Sequence, residues 1–259
     1  MIYYPPPMAP QPPTPSAPPI GAAEQERASG RRYQLIFGSI FAALTVLALL
    51  LAAIAPDLRP HTSQSLPAGW TPAYEGNLTA ATATDFEAWD LTNGCLFYSD
   101  GLHAEAPDSD SVTCAFTPPG SSSATGQGFY FEVGLAPAWQ VPMFQRALLL
   151  VGDPTGQSGT ALTFEIGQDG SYTLCDNPCS ATGRGFRESG GTAAWHGDAY
   201  VANTIAVKVS ADHTHETIYV NGQQVATALV DLGAQPALAV GAPSGSGAIF
   251  TRVTLATGQ

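Results

Sequence analysis

The sequence predicts an all-β domain, an antiparallel jelly-roll sandwich, preceded by one transmembrane helix and a disordered proline-rich tail. Three observations lead to this prediction. An uncharged run extends from Leu35 to Ala55, and short segments with a two-residue hydrophobic period follow it. Turn residues separate those segments, and the chain as a whole is rich in glycine and proline, with 27 and 22 residues. The expected parts are residues 1–33 (tail), 34–55 (membrane helix), 56–72 (stalk) and 73–259 (β-sandwich outside the cytoplasm).

The composition of the chain limits its partners. Its 259 residues carry a formal net charge of −12 and the isoelectric point is near 4.5. We therefore expect no nucleic acid to bind. The same acidic charge disfavours anionic polymers and anionic lipid surfaces as ligands.

The uncharged run is long enough to cross a membrane. A helix rises about 1.5 Å per residue, so a run of this length spans a hydrocarbon core of roughly 30 Å. A buried core helix is one alternative, but such a helix usually carries polar residues on one face. A cleaved signal peptide is another, because Ala53 and Ala55 form an A-x-A pattern, but the stretch before the run is too long for one.

Charges beside the run predict its orientation. Arg27, Arg31 and Arg32 precede it, whereas Asp57 and Arg59 lie close behind it. The excess of arginine before the helix places the N-terminus in the cytoplasm. We therefore predict an uncleaved signal anchor in the cell membrane, single-pass, with the C-terminal domain extracytoplasmic.

Proline is frequent on both sides of the run. Residues 1–33 are expected to form a solvated extension, which either docks in an aromatic-lined groove of a cytoplasmic partner or serves as a disordered spacer. Residues 56–72 are expected to form a short stalk. Asn77 begins an Asn-Leu-Thr sequon, which is glycosylated only if the host has that machinery.

Alternating hydrophobicity predicts the strands of the C-terminal domain. The segments are short, β-branched or aromatic, and separated by turn residues at intervals of roughly 8–12 residues. They are residues 129–133, 147–151, 162–166, 205–209, 217–220, 224–229, 237–240 and 249–255. Asn221-Gly222, Asp169-Gly170 and Asp100-Gly101 predict type I′ hairpin turns, in which both central residues take positive φ.

The run NTIAVKVSADHTHETIYVNGQQVATALVDLGAQPALAVGAPSGSGAIFTRVTLAT resembles the last strands of laminin-G-like, concanavalin A-like jelly rolls, including the keto-disaccharide hydrolase-like family. Upstream, NGCLFYSDGLHAEA and FEIGQDGSYTL are similar to the early hairpins of those domains. The resemblance covers about residues 73–259. It implies the sandwich fold, but not a function, because such sandwiches include lectins, glycanases, adhesion modules and spacers.

The four cysteines all follow the uncharged run, and an even number in one compartment fits disulfides in an oxidising space. Of the three possible pairings we expect the nearest-neighbour one. Cys95–Cys114 would join the first strand to its neighbour, and Cys175–Cys179 would close a tight loop. A zinc site is the alternative, but no second cysteine pair has zinc-ligand spacing.

Aromatic residues in loops are the candidates for ligand binding. Trp139 and Phe144 bound one loop, and Trp195, His196 and Asp198 lie in another. Aromatic rings at these positions could stack on a sugar, although a tryptophan in a sandwich is more often part of the core.

Two polar clusters are candidates for metal binding. If Asp212, His213 and His215 lie on a strand, the two histidines share a face and could bind a divalent metal. The alternative is a solvated hairpin turn. The loop Asp108–Asp110 could favour calcium, and a solvated acidic turn is again the alternative; no other cofactor is expected.

The sequence contains no pattern typical of catalysis. Glycanases of this fold place carboxylates on alternate residues of one strand, whereas Glu132 and Glu165 stand alone in apolar strands and are expected to face outward. We therefore expect a non-catalytic binding or interaction module at the cell surface, with an extracellular glycan or protein as its partner. A saccharide-acting hydrolase and a structural or sensor ectodomain are the alternatives.

Overall fold

Two antiparallel β-sheets pack face to face in the C-terminal part of the chain. The computed structural model describes residues 66, 68–91, 94–107, 110–119, 125–141, 143–152, 160–176 and 185–258. The strands are β1 (Trp70–Asn77), β2 (Cys95–Tyr98), β3 (Gly101–Ala106), β4 (Val112–Phe116), β5 (Phe129–Leu135), β6 (Arg146–Val151), β7 (Leu162–Gly167), β8 (Ser171–Asp176), β9 (Phe186–Gly191), β10 (Asn203–Val209), β11 (His215–Val220), β12 (Gln223–Leu229), β13 (Leu238–Ala242) and β14 (Ser246–Gly258). A short helix, α1 (Ala83–Glu87), and two 3-10 turns (Leu78–Ala80 and Ala138–Gln140) complete the described elements.

The strand order is that of a two-layer sandwich. The eight-stranded sheet runs β12-β11-β10-β5-β14-β3-β2, and β1 pairs with β14 beside this path. The six-stranded sheet runs β4-β13-β6-β7-β8-β9. All these pairings are antiparallel. The predicted all-β antiparallel sandwich is therefore confirmed, and each of the eight predicted strands overlaps an observed one.

The core lies between the sheets and follows from the alternation of each strand. On β5, Phe129, Phe131 and Val133 point inward and are fully buried, whereas Tyr130 and Glu132 point to the outer face. Burying an aromatic or aliphatic side chain of this size contributes roughly 1.5–3 kcal/mol. The inward positions of both sheets therefore supply most of the stabilising free energy of the sandwich.

A disulfide joins the two sheets. Cys95 on β2 belongs to the eight-stranded sheet and Cys114 on β4 to the six-stranded sheet, and their sulfur atoms are bonded. The predicted Cys95–Cys114 pairing is confirmed. The sequence suggested that it joins neighbouring strands, whereas β2 and β4 lie in different sheets. Cys175 is also disulfide-bonded. Its expected partner, Cys179, lies outside the described residues.

The predicted hairpin turns are only partly of the expected type. Asn221 and Gly222 have φ of 46° and 75°, so both central residues of the β11–β12 turn take the positive φ that type I′ requires. In the other two turns positive φ occurs at Gly170 and Gly101 alone. The type I′ prediction is therefore wrong for Asp169-Gly170 and Asp100-Gly101, although each joins two paired strands.

The predicted membrane helix, residues 34–55, and the proline-rich tail, residues 1–33, lie outside the described residues. Among the residues that are described, no helix is long and apolar enough to cross a membrane. Strand β1 begins at Trp70, three residues before the expected start of the sandwich at residue 73.

Candidate functional site

Three connections meet at one end of the sandwich and carry the predicted ligand-binding residues. They are the β5–β6 loop (136–145), the β7–β8 turn (168–170) and the β9–β10 loop (192–202). Backbone hydrogen bonds join them: Trp139 donates to the carbonyl of Ala199, Gln168 to that of Gln145, and Thr192 to that of Gly170. The loops therefore form one connected surface.

Two aromatic side chains on this surface form the aromatic patch, Trp139 and Tyr200. Their side chains are largely exposed, at 56% for Trp139 and 61% for Tyr200. The ring centroids are 6.3 Å apart and the ring planes are inclined by 36°. None of the described elements covers these two rings, so their apolar surface is open to solvent. Phe144, at the far end of the β5–β6 loop, is also exposed.

Asp198 and Trp195 support the patch in different ways. Asp198 is exposed, and its carboxylate accepts a 2.9 Å hydrogen bond from the backbone N–H of Tyr200. Trp195 is buried, and its indole N–H donates to the carbonyl of Gln168 at 3.0 Å. Trp195 thus belongs to the core and anchors the β9–β10 loop to the β7–β8 turn.

Two asparagines fix the β9–β10 loop from behind. The side-chain oxygen of Asn203 accepts from the backbone N–H of His196 at 2.8 Å, and its amide donates to the His196 carbonyl at 3.1 Å. Asn221 donates to the Asn203 oxygen and to the carbonyl of Ala194, both at 2.7 Å. Because these bonds hold the backbone of the loop, that backbone loses little conformational freedom on binding a ligand.

Sequence reasoning found Trp139 but missed Tyr200, Asn203 and Asn221 as parts of this surface. Tyr200 lies in an irregular loop, where no periodicity distinguishes an exposed ring from a buried one. The asparagines are near in space through strand pairing, and the sequence does not show that distance. Asn221 was recognised only as a turn residue.

The predicted metal cluster is divided between two environments. His213 has a φ of 57° in the turn before β11, is buried, and directs its ring nitrogens toward the carbonyl oxygens of Gly233 and Gln127, at 2.7 and 3.2 Å. His215 is exposed, and its Nδ1 lies 3.9 Å from the Asp212 carboxylate. In the described part of the chain, no group of three or more His, Cys, Asp or Glu residues is placed to hold a metal. Calcium at the loop 108–110 stays a prediction, because residues 108 and 109 lie outside the described set.

Glu132 and Glu165, the two candidate catalytic carboxylates, lie on opposite outer faces of the sandwich. Glu132, on the eight-stranded sheet, accepts from the Tyr130 hydroxyl and from the Arg252 guanidinium, both at 2.7 Å. Glu165, on the six-stranded sheet, lies 3.4 Å from Arg146; burial raises its pKa, and that arginine opposes the rise. Glycosidases need two carboxyl groups within about 5–10 Å in one cleft. Glu132 and Glu165 do not form such a pair.

The fold has counterparts among solved structures. No protein-family model matches the sequence, and no curated protein matches it. The potassium-bound carbohydrate recognition domain of Emp46p is similar with a TM-score of 0.52 and 14% identity, over 73% of this chain and 99% of that chain. The common feature is the two-sheet antiparallel β-sandwich. The Crh5 transglycosylase in complex with NAG shares it with a TM-score of 0.50 and 13% identity, over 78% of this chain and 90% of that chain. At such low identity the likeness shows the fold alone.

Proposed function

We propose that this chain is a non-catalytic carbohydrate-binding module displayed at the cell surface, and that the aromatic patch is its binding site. The observation that carries the proposal is the exposed pair Trp139 and Tyr200, held on loops that hydrogen bonds and buried side chains fix in place. The apolar C–H face of a sugar ring packs well on such rings, and nearby polar groups can bind its hydroxyls.

Two further observations support the choice of ligand class. Solved structures with this fold include a carbohydrate recognition domain and a transglycosylase bound to NAG. The acidic net charge of −12 favours neutral glycans over anionic ones. Asp198 lies beside the patch and can accept hydrogen bonds from sugar hydroxyls, since its carboxylate has acceptor sites beyond the one used by Tyr200.

A glycan array tests this proposal. The full chain, purified in mild detergent, should bind a subset of neutral glycans, and Trp139→Ala and Tyr200→Ala should each weaken that binding about tenfold. Phe186→Ala is the matched control, because Phe186 is an aromatic residue of comparable exposure on β9. Unchanged binding in both patch variants, with unchanged thermal unfolding, would refute the patch as the site.

We also propose that residues 34–55 anchor the domain in the cell membrane, with residues 1–33 in the cytoplasm. The uncharged run, the arginines before it and the disulfide between Cys95 and Cys114 support this topology, because disulfides persist in oxidising compartments. Protease added to intact cells should digest the C-terminal domain and leave an N-terminal tag protected. Digestion of the tag with protection of the domain would invert the topology.

A further inference from the structure

A cavity of about 700 Å³ opens where the edges of the two sheets meet. Edge strand β9 of the six-stranded sheet lies on one side, and strands β11 and β12 of the other sheet lie on the other. Leu174 and Ala228 give it an apolar lining, and Arg187, Glu188 and Glu216 give it charged groups. It lies where β9 and β11 begin and β12 ends, whereas the loop that carries Tyr200 of the aromatic patch follows the opposite end of β9. We call this cavity the Glu216 cleft.

Glu216 occupies an inward position of β11. It alternates with Ile218 and Val220, both core residues, and its own exposure is 1%. Within the part of the chain that the structure describes, neither oxygen of its carboxyl group has a hydrogen-bond partner, although both are buried. Buried carboxyl groups are normally paired, because the charged form loses its hydration without compensation. A residue at this position in a purely structural strand would be apolar.

The other charged groups around the cleft are already paired. Arg187 donates to the carboxylate of Asp176 and, at 2.6 Å, to the carbonyl of Leu229. Glu188 accepts a 3.0 Å hydrogen bond from the hydroxyl of Tyr172. His215, at the cleft lining, has its Nδ1 2.8 Å from the hydroxyl of Thr214. None of these side chains contributes a hydrogen bond to the carboxyl group of Glu216.

The balance of charge in the cleft favours a cation. Arg187 is matched by Asp176, so Glu188 and Glu216 leave an excess of negative charge when both are ionised. An anionic ligand would be repelled by these carboxylates, and the guanidinium that could attract it is already engaged. Burial raises the pKa of Glu216 to about 8, Arg187 opposes this rise and Asp176 adds to it.

We propose that the Glu216 cleft binds the ammonium group of a small organic cation, which the carboxylate of Glu216 receives as an ion pair. The ammonium can come from an amino sugar or from an alkylamine such as a lysine side chain, since both present the same group. The apolar lining of Leu174 and Ala228 accommodates the carbon skeleton that carries it. When the carboxyl group is protonated, binding releases that proton to solvent, and no bond to carbon forms or breaks.

Isothermal titration of the full chain with n-butylammonium tests the proposal, with 1-butanol as the neutral analogue. The amine keeps its charge up to a pH of about 10. The affinity should rise about 50-fold between pH 6 and pH 8, because the ionised fraction of Glu216 rises by that factor when its pKa is about 8. Equal affinity for 1-butanol, or no dependence on pH, would overturn the proposal.

Two substitutions sharpen the test. Glu216→Gln should abolish ammonium binding and its pH dependence while the protein stays folded, because glutamine resembles the neutral carboxyl group. Glu188→Gln is the control: it should weaken binding only a few-fold and keep the pH dependence. Wild-type affinity in Glu216→Gln would also overturn the proposal. Trp139→Ala should leave ammonium binding unchanged, so failure of the carbohydrate proposal and failure of this one are separable.

Glucosamine and N-acetylglucosamine, titrated at pH 7 into the Trp139→Ala variant so that the aromatic patch does not contribute, distinguish the two sources of the ammonium. Binding of glucosamine but not of N-acetylglucosamine supports an amino sugar, because acetylation removes the charge. Binding of n-butylammonium alone supports an alkylamine. Binding of neither cation overturns the proposal.

Discussion

Replacing Glu216 by glutamine should make the domain more stable at pH 8 while leaving its stability at pH 4.5 and below nearly unchanged. The pKa of this carboxyl group is about 8 in the folded protein, against an ordinary value of 4.5 that applies when the chain is unfolded. Between these two values the unfolded state has lost the proton and the folded state still holds it. The free energy of unfolding of the wild type therefore falls as pH rises, by about 1.4 kcal/mol per pH unit.

The magnitude follows from the width of this interval. Over the interval from 4.5 to 8 the loss reaches at most about 5 kcal/mol, and above pH 8 it stays constant because both states are then ionised. Local relaxation and entry of water reduce it, so we expect about 2–5 kcal/mol in practice. Domain stabilities are about 5–15 kcal/mol, so even the lower figure is measurable. Glutamine does not titrate, so the free energy of unfolding of Glu216→Gln lacks this dependence on pH.

Urea unfolding at pH 5, 6, 7 and 8, followed by tryptophan fluorescence, measures the effect. The difference in unfolding free energy between Glu216→Gln and the wild type should increase steadily across this series. Glu188→Gln is the matched control, because Glu188 lines the same cleft but is exposed. A difference that stays constant from pH 5 to pH 8 would show that Glu216 is not protonated in the folded state, and the reasoning would fail.

Three other variants test the framework of the sandwich by thermal and denaturant unfolding. Replacing Cys95 and Cys114 by alanine should lower the free energy of unfolding by about 3 kcal/mol, because a loop of 19 residues is no longer closed in the unfolded chain; an unchanged midpoint would contradict this. Arg252→Met should cost about 3 kcal/mol, since it leaves the buried Glu132 without its cation, and a loss below 1 kcal/mol would refute that account. Gly241→Ala should cost about 3 kcal/mol or prevent folding, because its Cβ would lie 1.9 Å from a backbone oxygen of β4; wild-type stability would contradict this close packing.

The strands that could be predicted from the sequence are those in which one face is apolar. Most residues of β5 and β10 are hydrophobic, and the buried positions of these strands follow directly from that pattern. β9 was not predicted, because all six of its residues, Phe186–Gly191, are exposed and no alternation marks it. An edge strand of this kind is recognised only through its pairing with β8.

The candidate sites were predictable to a smaller extent, because they depend on distances between segments. The metal hypothesis assumed that His213 and His215 lie on one strand, but His213 precedes β11 in a turn with positive φ, so the period-two rule does not apply to it. Trp195 is buried by contacts with the β7–β8 turn, which composition does not reveal. Glu216 looks like an ordinary polar residue at a strand start. Its period-two relation to Ile218 and Val220 places it on the inward face, but only the opposing sheet shows that it is buried.

The β11–β12 hairpin supports a different region at each of its ends. At its turn, Asn221 holds the β9–β10 loop that carries Tyr200, and at its open end Glu216 lines the cleft. The two ends belong to one hydrogen-bonded hairpin, whose pairing shifts register between Ile218 and Tyr219. The aromatic patch and the Glu216 cleft therefore share one supporting element, the β11–β12 hairpin, and the buried Ile218 lies between its two ends.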